Sequence, residues 1–174
     1  MERIGASIKG MYRDILKGPD NNVIFDSGWG SNMIVDRCRI LLAAFMKNEG
    51  TMGIQNLKVG TGNKDWDNEG PPEPDALVIG LEDPNPVEVA NLDLVYLNDQ
   101  DAPVTVPTPR LQITATLGEG EPEPPEPHLT TYPLREFGLF GKFGDEEYMI
   151  DCIRHPVIHK DVSSTLVRVV RLYF

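Results

Sequence analysis

His155-Pro-Val-Ile-His159 is the first pair in this chain with metal-ligand spacing. On a helix that spacing would put both imidazoles on one face. Pro156 and the flanking apolar runs instead predict extended chain, where residues four apart lie roughly 13 Å from each other, too far to share a zinc ion. No cluster of Cys or further His completes a ligand set. Asp65, Asp67 and Glu69 alternate in a polar stretch, but the glycine and terminal bidentate acid of a calcium loop are missing, so a solvated loop is expected. Gly28-Trp-Gly30-Ser-Asn-Met precedes a helical pattern and superficially matches a phosphate-cradling turn. It lacks the third glycine and any following βαβ pattern. Its glycines read as backbone freedom for a sharp turn, as do Gly60 and Gly62. No serine sits in a Gly-x-Ser-x-Gly context. These residues predict no catalytic centre, metal or cofactor.

The elements that carry them are mostly strands. Residues 6–26 predict a hairpin around the turn Gly18-Pro-Asp-Asn-Asn22, with Val23-Ile-Phe25 as the return strand. One helix is predicted at 31–47, capped by Ser31 or Asn32 and stopped by Gly50. Its apolar residues Ile34, Cys38, Leu41, Leu42 and Phe45 share one face, expected to pack on a sheet. Ile54, Leu57 and Val59 make a short strand, followed by a polar loop from Asn63 to Pro74. Partial alternation over 87–97 and 111–115 predicts two strands with one wet face each. From Pro133 onward, Leu134, Phe137, Leu139 and Phe140 predict a strand and Gly141 and Gly144 a turn. Tyr148 to Ile153 and Leu166 to Phe174 add further strands. The fold class expected is mainly β: a single antiparallel β-sandwich or flattened barrel over 1–174, with one packed helix.

Charge is distributed unevenly. The chain has 174 residues and a net charge of −11. Residues 61–130 hold 2 basic and 15 acidic groups, and 12 of the 15 prolines lie between Pro71 and Pro127. An acidic, proline-rich insertion is therefore expected at 63–130, with Gly118 to Pro127 unable to pair in a sheet. Such a chain repels phosphate backbones, so nucleic acid is not an expected partner. No apolar run is long enough to span a bilayer, and residues 1–10 lack a signal-peptide apolar region. Cys38 and Cys152 sit in apolar surroundings and are expected to be buried, reduced thiols, with a disulfide between them the alternative that the sequence leaves open. What remains for binding is surface: the acidic loop with Glu121, Glu123 and Glu126, and the aromatics Trp66 and Tyr132, expected to be exposed and to meet basic partners.

The order of motifs resembles a family of phage tail and phage-tail-like structural proteins, including particle-proximal domains of tail fibre or collar proteins. It is carried by Asn32-Met-Ile-Val-Asp36 leading into Leu41-Leu-Ala-Ala-Phe-Met46, by Leu57-Lys-Val-Gly-Thr-Gly62, and by Pro133-Leu-Arg-Glu-Phe-Gly-Leu-Phe-Gly141. It covers roughly 22–62 and 133–174. The matched positions Asn32, Gly60, Gly62, Leu134, Glu136, Gly138, Leu139 and Phe140 carry over as fold markers. The resemblance implies a non-enzymatic structural subunit of a contractile tail or injection particle, made in the cytoplasm and assembled with baseplate, tube, sheath or fibre proteins. It also implies a homo-oligomer in a symmetric assembly. Without a distal receptor-binding region after Phe174, an adaptor, baseplate, collar or fibre-attachment role is expected. The alternative is a carbohydrate-binding β-sandwich that stacks sugars on Trp29, Trp66 and Tyr132.

Overall fold

The computed structural model describes residues 7–89 and 91–174. Residue 6 of the expected hairpin and residue 90 of the expected strand 87–97 lie outside them. The first half of the chain forms β1 (Lys9–Lys17), β2 (Val23–Asp26), β3 (Gly30–Ser31), β4 (Met33–Ile34), α1 (Asp36–Met46), β5 (Thr51–Gly60) and α2 (Trp66–Glu69). The second half forms β6 (Val87–Val89), β7 (Leu92–Leu97), β8 (Pro103–Val104), β9 (Arg110–Leu117), β10 (Thr131–Phe143), β11 (Glu146–Met149), β12 (Asp151–Asp161) and β13 (Thr165–Tyr173).

These strands make two antiparallel sheets. The first runs β2-β1-β13-β9-β7-β8, with β3 also on β1, and the second runs β4-β12-β10-β5-β6, with β11 also on β10. Alternation along β13 shows how the sheets meet. Leu166, Arg168, Val170 and Leu172 are buried, while the residues between them are half-exposed. Leu166, Val170 and Leu172 share one apolar core with Leu57, Leu134 and Phe137 of the second sheet. The mainly β two-sheet fold is the expected one. The hairpin at the start is also as expected, with β1 and β2 antiparallel around residues 18–22.

The helix differs from its expected bounds. It starts at Asp36, not at 31 or 32, and its N-cap is Val35, with no side-chain cap. Tertiary pairing takes the preceding residues away from it. Ser31 pairs with Met11, and Met33 and Ile34 pair with Cys152 and Asp151. The amide of Asp36 is satisfied instead by the Ala76 carbonyl at 2.8 Å. At the other end the left-handed residue is Asn48, with φ 63°, rather than Gly50.

Residues 63–130 are less of an insertion than their composition suggests. They supply four strands, and β9 lies in the interior of the first sheet between β13 and β7. Two details of the expected loops also change. The stretch 63–74 contains α2, and Gly141 lies inside β10, with the Leu41 side chain of α1 packed where its Cβ would stand.

Candidate functional site

The fold markers are structural, and their neighbours explain the residue types. Leu134, Leu139 and Phe140 are buried core. Glu136 is also fully buried, and its carboxylate accepts the amides of Glu82 and Asp83 at 2.9 and 2.7 Å. It thereby pins the 80–85 loop beside Gly60, its partner across the ladder. Burial raises its pKa against those two hydrogen bonds. Gly62 has φ +58°, and a Cβ there would lie 2.5 Å from the Trp66 ring. At Gly138 a Cβ would meet the Asp151 carbonyl oxygen at 2.6 Å. Asn32 donates to the Asp151 carboxylate at 2.7 Å, and the amide of Leu139 donates to the other oxygen at the same distance.

Both aromatics expected at the surface are in the interior. Trp66 is 8% exposed and Tyr132 is 4% exposed. The cause for Trp66 is α2, which folds the tryptophan inward over Gly62 and beneath the Arg154 guanidinium at 5.1 Å. Its neighbour Asp67 is held by Arg135 through paired contacts of 2.7 and 2.6 Å, which lowers the Asp67 pKa. Tyr132 sits in β10 opposite Lys160, within the inter-sheet core. Neither ring offers a stacking face to a sugar or a partner. Glu121, Glu123 and Glu126 are exposed, as expected. Cys38 and Cys152 are buried free thiols, pushed by desolvation to about 11 and about 12.

A buried polar cluster joins the two sheets. Arg168 of β13 stands opposite Asp14 of β1 in the ladder and donates to both carboxylate oxygens, at 2.9 and 3.2 Å. Its Nη2 also donates to Nε2 of His155, from β12 of the other sheet, and its guanidinium lies 4.0 Å from the Phe137 ring centroid. His155 uses its other nitrogen, Nδ1, to donate to the Pro156 carbonyl at 2.7 Å. Burial and the neighbouring arginine push the imidazole down to about 4, so it is neutral at pH 7. A cleft of about 310 Å³, lined by Tyr12, Phe25 and Val157 among others, opens onto Asp14 and His155. Both imidazole nitrogens and both carboxylate oxygens carry a hydrogen bond within this cluster or to the adjoining backbone. The cluster is therefore built to fix the two sheets in register. Its sequence signal is period-2 alternation, which aims Arg168 inward between Leu166 and Val170. His159 does not join His155: it is exposed, and a register shift in the β10–β12 pairing separates the two.

Exposed apolar side chains occur on β2 (Val23, Ile24 and Phe25), at Leu77 and Ile79, and most densely on α1. Only Cys38, Leu41 and Ala44 of its eleven residues are buried, and they pack toward β10, β11 and β5. Leu42 and Phe45, expected to face the sheet, are exposed, Phe45 by 65%. Ile40, Met46 and Met52 of the adjoining β5 start are exposed as well, Met46 by 81%. A helix that is apolar on nearly every side is normally buried on every side. The signal was present in the sequence, since apolar types occupy both faces of 40–46.

No protein-family model, curated protein or solved structure matches the chain. No helix of the described residues is long and apolar enough to cross a membrane.

Proposed function

We propose that this chain is a non-enzymatic structural subunit of a contractile phage tail or tail-like injection particle, acting as an adaptor, baseplate, collar or fibre-attachment protein. The observation that carries the docking role is the exposed apolar surface of α1 and the β5 start. Contiguous apolar patches rimmed by polar residues mark protein–protein contacts. Arg39, Lys47 and Glu49 supply such a rim. The assignment to a tail particle comes from the motif order around α1, β5 and β10. In this reading the protein is made in the cytoplasm and joins other tail components in a symmetric assembly. The buried Glu136, Asp151 and Asp14–Arg168 groups hold strands and loops together, which favours a scaffold. The carbohydrate reading loses two of its three stacking faces with Trp66 and Tyr132 buried.

The test is co-sedimentation of the tagged chain with sheath, tube or baseplate proteins, followed by electron microscopy of particles from cells with and without it. Association with particles, and loss of one particle feature in its absence, is the expected result. A chain that never enters sedimenting particles overturns the reading.

A further inference from the structure

The outer face of the first sheet gathers basic side chains in an acidic protein. Strand alternation and the β1–β13–β9 register place Lys9, Arg13, Arg110 and Arg171 on it. Trp29, 37% exposed, lies across this face with Arg171 at 4.3 Å and Arg13 at 6.0 Å from its ring centroid. Arg13 is answered by Asp26. Arg110 and Arg171 share a single carboxylate, Asp101, each at 3.4 Å. Among the described residues Lys9 makes no ion pair. This end of the sheet therefore holds an aromatic ring between guanidiniums and more cation than anion.

The opposite end of the same sheet carries the reverse. β9 runs from Arg110 to Leu117 and gives way to Gly118-Glu-Gly-Glu-Pro-Glu-Pro-Pro-Glu-Pro127, with four exposed glutamates and no base. Arg171 pairs with Gln112, six residues before Gly118, so roughly 20 Å of strand separates the two ends. The loop is anchored. The Lys160 ammonium donates to the Gly118 and Ser164 carbonyls at 2.7 and 2.8 Å, and Gly120 donates to the Val162 carbonyl at 2.7 Å. Four prolines stiffen what lies between. A rigid, acidic, proline-rich segment loses little freedom on binding, and aromatic surfaces are the usual receptors for such segments.

We propose that a second copy of this chain docks its acidic loop, residues 118–127, on the Trp29–Arg171 end of the first sheet. The contact is heterologous, loop of one copy to sheet face of the next, and repeats into a ring or a stack. It rests on the reading of this chain as a subunit of a symmetric particle and names the surfaces through which copies meet.

Analytical ultracentrifugation of the full chain tests it, with circular dichroism confirming that each variant is folded. Wild type is expected to associate with rising concentration at low salt and to dissociate at high salt, since exposed charges are screened. The loop variant Glu119→Lys, Glu123→Lys, Glu126→Lys is expected to raise the midpoint concentration about tenfold or more, as is the face variant Trp29→Ala, Arg171→Glu. Mixing the two variants restores the native junction on one side and sets a lysine loop against the new glutamate of Arg171→Glu on the other. Association is therefore expected to return in the mixture at concentrations where neither variant associates alone. Wild type that stays monomeric throughout, or a loop variant that assembles as wild type does, overturns the proposal. Particle incorporation separates the two readings. A loop variant that enters particles normally while wild type is monomeric sinks this contact alone. Self-assembly without any particle sinks the tail-particle reading alone.

Discussion

Asp14 and Arg168 face each other directly across the β1–β13 ladder, and neither is more than 1% exposed. Breaking such a pair from one side strands an uncompensated charge, whereas removing both charges together is often nearly neutral. Arg168→Met is therefore expected to cost about 3–5 kcal/mol, and Asp14→Leu a similar amount. The double variant should be more stable than either single one. Urea unfolding of the three proteins measures this. Additive losses in the double variant would show that the pair is not coupled.

Two other buried groups make stability depend on pH in opposite directions. His155 is held at about 4 against an ordinary 6.5, so the unfolded chain takes the proton first as pH falls. Its stabilising contribution is complete above 6.5 and is lost toward pH 4. Asp151 is pushed up to about 7 from 3.8 by burial, against hydrogen bonds from Leu139 and Asn32. There the native state takes the proton first, so its contribution is complete below 3.8 and is lost as pH rises to 7. Each amounts to roughly 3–4 kcal/mol at its full extent, and over pH 4–7 they largely cancel. Asp151→Asn should leave a protein whose stability climbs steeply between pH 4.5 and 7. His155→Gln should leave one whose stability declines. Urea midpoints at the two pH values decide the matter, and slopes unchanged from wild type would refute it.

At Gly138 the β10 backbone passes close to the backbone of β12. The added methyl of Gly138→Ala would stand 2.6 Å from the Asp151 carbonyl oxygen, which belongs to the backbone and cannot swing aside. Overpacking of this kind costs about 1–3 kcal/mol. Gly53→Ala, with open space at its Cβ, is the control. Thermal melts should separate the two variants clearly. Equal melting temperatures would mean that the strand relaxes at no cost.

The residues that proved easy to read were those whose pattern answers to a single local rule. Alternation in β9 was legible because that strand is interior to a sheet with one buried face, whereas the apolar run from Leu166 to Phe174 marked β13 without showing that it has a half-exposed face. Ser31 and Asn32 misled as caps because long-range pairing claims them: Ser31 joins β1, and Asn32 reaches Asp151, 119 residues away. Trp66 and Tyr132 misled for a related reason. Composition places them beside acidic loops, but the ring of Trp66 fills the hollow that Gly62 leaves open, and Tyr132 packs into the core. Alternation in β13 aims Arg168 inward, but its partners Asp14 and His155 stand on strands distant in sequence, so no spacing rule reveals the cluster.

The outward residues of α1 separate stability from function. Ile40, Leu42, Phe45 and Met46 contribute little to the fold, because each keeps more than a third of its surface in water. Substituting a charge at an exposed site normally changes stability by no more than about 0.5 kcal/mol. Phe45→Asp with Met46→Lys should therefore melt within a few degrees of wild type, while Leu41→Asp, buried against β10, should unfold the domain. If α1 is the docking face, the double variant should lose most of its co-sedimentation with particles, since a charge at the core of an interface excludes the partner's apolar surface. Full retention of binding by a folded Phe45→Asp, Met46→Lys protein would remove α1 from the interface.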